Sequence, residues 1–192
     1  MKRLLPLTLV LQIALFGPTF GDVSNGQREI ALREESKLYA MFLDNWAGNR
    51  AKILHVARIA KPPTAEDLAE YATCLKTFRP GEMQNPTMAL ELSKTPLARR
   101  RNVKLVDPAT WRIPSGGTTV PSGQPSAEAV SAAFAAGLLT FTRAIFDEQH
   151  KVAIFTYSFV CGGLCGGGNG IIFDMTPSGW QQREMPCGGW IS

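Results

Sequence analysis

Hydrophobic residues recur at helical spacing before Leu138 and alternate at strand spacing beyond it. The first helix is expected from about Gln27 to Trp46. Ile30, Leu38, Met41 and Phe42 keep to one face, and Arg28, Glu29, Arg33, Glu34, Glu35 and Lys37 form a solvated face. Ser24 with Gln27 reads as a capping box, and Gly48 as the stop. Loose alternation over Lys52–Ala60 predicts a short strand, closed by Pro62-Pro63. Thr64 then caps a helix over Ala65–Phe78, where Leu68, Tyr71, Ala72, Leu75 and Phe78 line one face and Cys74 lies at its edge. Asn85-Pro86 opens a short helix to about Lys94. Val103–Val106 suits a strand, and Ile113–Gln124, rich in Pro, Gly, Ser and Thr, a loop. Ser126 caps a small-residue helix over Ala127–Ala136 that stops at Gly137.

The later pattern predicts strands at Leu138–Phe146, Val152–Phe159, Ile171–Met175 and Trp180–Met185, with a short edge at Gly188–Ser192. Asp147–His150 is a polar turn, and Thr176-Pro177-Ser178-Gly179 a β-turn with proline early and glycine late. Strands joined by such short links form an antiparallel meander. The expected class is α+β, with N-terminal helices packed on a C-terminal antiparallel β-meander.

Composition adds the setting. The chain has 192 residues, 45% hydrophobic and 19% charged, which suits one globular domain. Met1–Gly21 has the layout of a secretory signal peptide. Lys2 and Arg3 precede an apolar run over Leu4–Phe16, and Thr19 and Gly21 stand at the small-residue positions of a cleavage site. The expected domain is therefore 22–192, periplasmic or secreted, with no membrane span after cleavage. Cleavage lowers the formal charge from +4 to +2 by removing Lys2 and Arg3, so the basic balance does not point to nucleic acid. Arg99-Arg100-Arg101 with Lys104 reads as a hydrated turn before a strand.

Candidate chemistry gathers at Val160–Gly170, a run of glycines holding Cys161 and Cys165 between two strand-like segments. It reads as a tight connection. With Cys74 and Cys187 there are four cysteines, an even number that in an exported chain favours disulfides and allows three full pairings. A thiol–disulfide exchange site would need a depressed thiol pKa, and no cation is adjacent in sequence. Zinc at Cys161 and Cys165 with His55 or His150 lacks a second close ligand pair, and His55 and His150 each have a plain structural reading. The glycines fit neither a dinucleotide fingerprint nor a P-loop. No metal, cofactor or catalytic residue is assigned.

Five stretches resemble a group of uncharacterised exported bacterial proteins: Phe146-Asp147-Glu148-Gln149, Ala153–Tyr157, Cys161-Gly162-Gly163-Leu164-Cys165-Gly166, Gly179-Trp180 and the terminal Trp190-Ile191-Ser192. The resemblance covers the C-terminal part of the chain and implies an exported domain without an assigned activity. Members of such a group often carry only the two clustered cysteines. That favours Cys161–Cys165 with Cys74–Cys187, and the pairings of Cys187 with Cys161 or Cys165 stay open. The expected function is a non-enzymatic binding or accessory domain for a protein or small molecule. Its functional surface is expected at the rim Gly162, Gly163, Gly166, Gly167, Gly168 and Asn169. The rival is an exported redox enzyme or hydrolase using the same Cys161–Gly170 segment.

Overall fold

A computed structural model describes residues 20–47 (side chains of 29–46), 53–76, 78–79, 86–112, 133–162 and 165–192. The segment Met1–Gly21 up to residue 19, the stop at Gly48, the loop at 113–124, most of the expected helix at 127–136, and Gly163 lie outside these residues.

The first helix, α1, spans Phe20–Ala47. It begins before Ser24, so the Ser24–Gln27 pattern lies inside the helix and not at its start. Its buried face is Leu38, Tyr39, Phe42 and Leu43. The charged face expected to be solvated is only partly so. Glu35 is 1% exposed and accepts hydrogen bonds from Tyr39, Arg143 and the Ala144 amide. Glu34 accepts one from Trp180 Nε1 at 2.6 Å. A charge on a helix can turn inward when distant donors meet it there, and local periodicity carries no sign of those donors.

The second helix, α2 (Ala65–Cys74), starts as expected. Thr64 accepts from the Asp67 amide, and Asp67 accepts from the Thr64 amide. It ends four residues short of Phe78, because Leu75 leaves helical geometry beside a Cys74 tied to another element.

Among the described residues ten strands follow the order β1 (Leu54–Ala57), β2 (Ile59–Ala60), β3 (Leu90–Glu91), β4 (Val103–Val106), β5 (Leu138–Phe141), β6 (Ile145–Phe146), β7 (Val152–Gly162), β8 (Cys165–Thr176), β9 (Gly179–Gln182) and β10 (Cys187–Ile191). The expected helix up to Lys94 is instead β3, paired with β2, followed by 3-10 turns at Leu92–Lys94 and Pro96–Arg99. Strand pairing here overrode weak local helix preference. The expected first late strand divides into β5 and β6. Thr142 between them bridges to Lys61 while Arg143 turns toward Glu35.

The class is α+β, but the sheet is not a C-terminal meander alone. Its order is β10-β8-β7-β5-β1-β4, with β6 added on β7 and β9 on β8. The late strands are antiparallel, whereas β1 lies parallel to both β4 and β5. The long chain segments between those strands permit parallel pairing, and a hairpin does not. Helices α1 and α2 also sit on opposite faces of the sheet, not both on one. Alternation along β7 and β8 sends Phe155, Phe159, Ile171 and Phe173 to the core shared with α1, and Ile154 and Ile172 to the core shared with Tyr71 and Leu75 of α2. Among the described residues no helix is long and apolar enough to cross a membrane.

Candidate functional site

The cysteine–glycine stretch is mostly strand. β7 and β8 form one long hairpin, in which Gly162 pairs with Cys165 and Val160 with Gly166. All four cysteines are bridged. Cys161–Cys165 closes the end of the hairpin with Cα atoms 5.1 Å apart, and Cys74–Cys187 ties α2 to β10 with Cα atoms 5.7 Å apart. Both separations lie within ordinary disulfide range.

Gly166, Gly167, Gly168 and Asn169 are therefore not a loop rim. They run between β7 and β10, so their backbone is committed to ladders on either side. Their glycine identity comes from the room they leave. A Cβ on Gly168 would stand 2.7 Å from Trp190 Nε1, and one on Gly166 3.2 Å from Trp190 Cη2. The Trp190 ring thus covers a strip with no side chains. Positive φ occurs instead at Gly188 (58°) and Gly189 (137°), where β10 shifts register against β8.

Asn169 points to the α1 face. It pairs across the ladder with Tyr157, whose hydroxyl lies 3.4 Å from its amide group. In the orientation that satisfies both amide atoms, Asn169 Nδ2 donates to the carbonyls of Gly188 (2.7 Å) and Gly168 (3.1 Å). Asn169 and Tyr157 belong to a cleft of about 200 Å³ between the C-terminal turn of α1 and the sheet. One wall is aromatic. Phe42 and Trp46 project from α1 and Tyr157 from β7, with Phe42 and Tyr157 ring centroids 4.6 Å apart. Ile171 and Pro186 add apolar surface. The polar side is Asn45 and Gln182, joined by a hydrogen bond from Asn45 Nδ2 to Gln182 Oε1 at 3.1 Å. At the rim, Arg183 donates twice to Asp174, at 2.7 Å each. That bidentate bond raises the Arg183 pKa, outweighing the smaller effect of burial. Glu184 adds a carboxylate that forms no ion pair among the described residues.

The two histidines lie elsewhere. His55 on β1 packs against Trp111 in a tilted pair, with ring centroids 4.3 Å apart, and its Nδ1 is 3.0 Å from the Ala135 carbonyl. Burial, with a smaller contribution from Lys104, lowers its pKa below 6.5 despite the Ala135 bond. His150 occupies the turn after β6 with φ 55° and stacks on Phe146. Among the described residues no group of three or more His, Cys, Asp and Glu gathers to hold a metal.

Of the six rim residues expected from the sequence, Asn169 alone lines the cleft, and Gly163 lies outside the described residues. Sequence reasoning missed Asn45, Trp46 and Gln182 as site residues. The available signal was a polar residue, Asn169, following a glycine run at the β8 position opposite Tyr157. No family model, curated protein or solved structure matches the chain.

Proposed function

We propose that the chain is an exported binding or accessory domain without catalytic activity, and that the cleft between α1 and the β7–β8 hairpin is its ligand site. Met1–Gly21 serves as the signal, and cleavage after Gly21 removes only the first two residues of α1. The observation that carries the reading is the cleft itself. Aromatic surface from Trp46 and Tyr157 faces the side-chain amides of Asn45 and Gln182 on a sheet tied by two disulfides. A few placed polar groups beside apolar surface is the ordinary composition of a small-ligand site. Two bridges also suit an oxidising compartment, the periplasm or the exterior. Cys161 is 1% exposed and Cys165 is half-buried, so a thiol reaches at most one sulfur of the bridge, which weighs against the rival thiol–disulfide enzyme.

The test is a fragment screen by two-dimensional NMR. Hits are expected to shift the side-chain amides of Asn45 and Gln182 together. Hits that shift only the backbone of Gly162 and Gly166 would move the site to the hairpin end and sink this reading.

A further inference from the structure

Resting on the cleft reading above, we propose that the ligand is a neutral sugar ring, held flat against the aromatic wall with its hydroxyls on Asn45 and Gln182. Size sets the first limit. A volume of about 200 Å³ lies below the usual range of ligand pockets and leaves room for no more than one ring. The lining sets the second. Trp46 and Tyr157 are half-buried and both line the cleft. An aromatic face suits a flat C–H surface, which one side of a pyranose presents.

A wholly apolar ligand fits poorly, because it would strip water from the amides without replacing its hydrogen bonds. The bond from Asn45 Nδ2 to Gln182 Oε1 leaves Asn45 Oδ1 as an acceptor and Gln182 Nε2 as a donor. A hydroxyl both donates and accepts, so two neighbouring hydroxyls match this pair.

Charge excludes the remaining classes. Arg183, the one cation lining the cleft among the described residues, is already held by both oxygens of Asp174, and Glu184 adds a negative charge, so an anion finds no free partner there. A caged ammonium needs open space between rings. Phe42, Trp46 and Tyr157 have centroids 4.6–6.1 Å apart and fill that space with one another.

The experiment is saturation-transfer NMR on the purified protein with methyl glycosides of glucose, galactose, mannose and N-acetylglucosamine. Tetramethylammonium and inorganic phosphate serve as the cationic and anionic probes. At least one glycoside is expected to receive saturation, mostly on the C–H protons of one ring face, and to shift the Asn45 and Gln182 side-chain amides. Gln182→Ala and Asn45→Ala, both at the surface, are each expected to weaken its Kd by about five- to tenfold while leaving the amide spectrum dispersed. Cleft amides that respond to tetramethylammonium or phosphate and to no glycoside would overturn the sugar assignment and leave the cleft reading standing. A glycoside response unchanged in both variants would place the sugar elsewhere and overturn the assignment to this cleft. Silence from every probe would overturn both readings.

Discussion

Arg143 Nε donates to both carboxylate oxygens of Glu35, at 2.8 and 3.0 Å, in a pair whose carboxylate is closed off from solvent. The bond joins α1 to the link between β5 and β6 across 108 residues of chain. Tyr39 Oη donates to the same carboxylate at 2.6 Å, and so does the Ala144 amide at 2.9 Å. Removing the carboxylate leaves Arg143 Nε and the Ala144 amide without their acceptor, and among the described residues the guanidinium keeps only the Met88 carbonyl. Glu35→Ala is therefore expected to cost about 3–5 kcal/mol, read as a lower urea midpoint by circular dichroism. Replacing both charges with Glu35→Leu and Arg143→Met should cost less than Glu35→Ala alone, because no buried charge is then unpaired. An unchanged midpoint in Glu35→Ala would show that α1 is held without this network.

The two disulfides should differ in what they contribute. Cys74 and Cys187 are 113 residues apart, and Cys161 and Cys165 only 4. Loop-closure entropy assigns about 4–5 kcal/mol to the long bridge and about 2 kcal/mol to the short one. Cys74→Ser with Cys187→Ser should lower the urea midpoint more than Cys161→Ser with Cys165→Ser. The reverse order would mean that the hairpin end, not the tie from α2 to β10, governs stability.

Gly168 tests the strip beneath Trp190. A Cβ there meets Trp190 Nε1 at 2.7 Å and the Tyr157 carbonyl at 2.5 Å. Gly168→Ala is expected to destabilise by about 1–3 kcal/mol through overpacking. Trp190→Ala should relieve part of that loss in the double variant, since the ring is one of the two obstacles. Simple additivity of the two substitutions would rule out the steric account.

His55 gives a pH dependence below neutrality. Its folded pKa lies under the ordinary 6.5, so between the two values the unfolded chain binds more protons. Its contribution is complete above about 6.5 and is lost as pH falls through 6.5 toward the lower folded value. An imidazole titration followed by NMR should show a midpoint below 6.5. His55→Phe should flatten the stability profile across that window, and a midpoint at or above 6.5 would contradict the burial assigned to the ring.

Tyrosine ionisation gives the alkaline counterpart. Tyr71 is pushed up to about 12 by burial, which outweighs the bonds to Thr142 and Thr156. Tyr39 is also raised, first by burial and then by Glu35. Stability from these neutral phenols is present below pH 10 and is lost as pH rises through their folded values. Ultraviolet titration should show Tyr39 and Tyr71 ionising late in the native protein and near 10 in urea. Native and unfolded curves that coincide would contradict it.

Much of the fold was legible locally. The Thr64 cap and the Tyr71–Leu75 face announced α2, and β-branched and aromatic residues announced β7. The turn Thr176–Gly179 lies where proline and glycine put it, with Gly179 at φ 108°. The site was far less legible. Asn45, on a helix, and Gln182, 137 residues later, meet only because β9 is carried beside the end of α1. Neither position has a local pattern that marks it.

By itself, then, the chain's periodicity determined where most helices and strands form, because propensity, caps and turns act over a few residues. It also showed four cysteines with a glycine-rich hairpin around two of them. Tertiary structure alone decided which strands pair in parallel, which cysteines bridge and which face each helix covers. It also turned Glu35 inward and placed Trp190 over the glycines. Those outcomes depend on contacts between residues far apart in sequence, where each partner's need for burial or for a hydrogen bond is met only by the other.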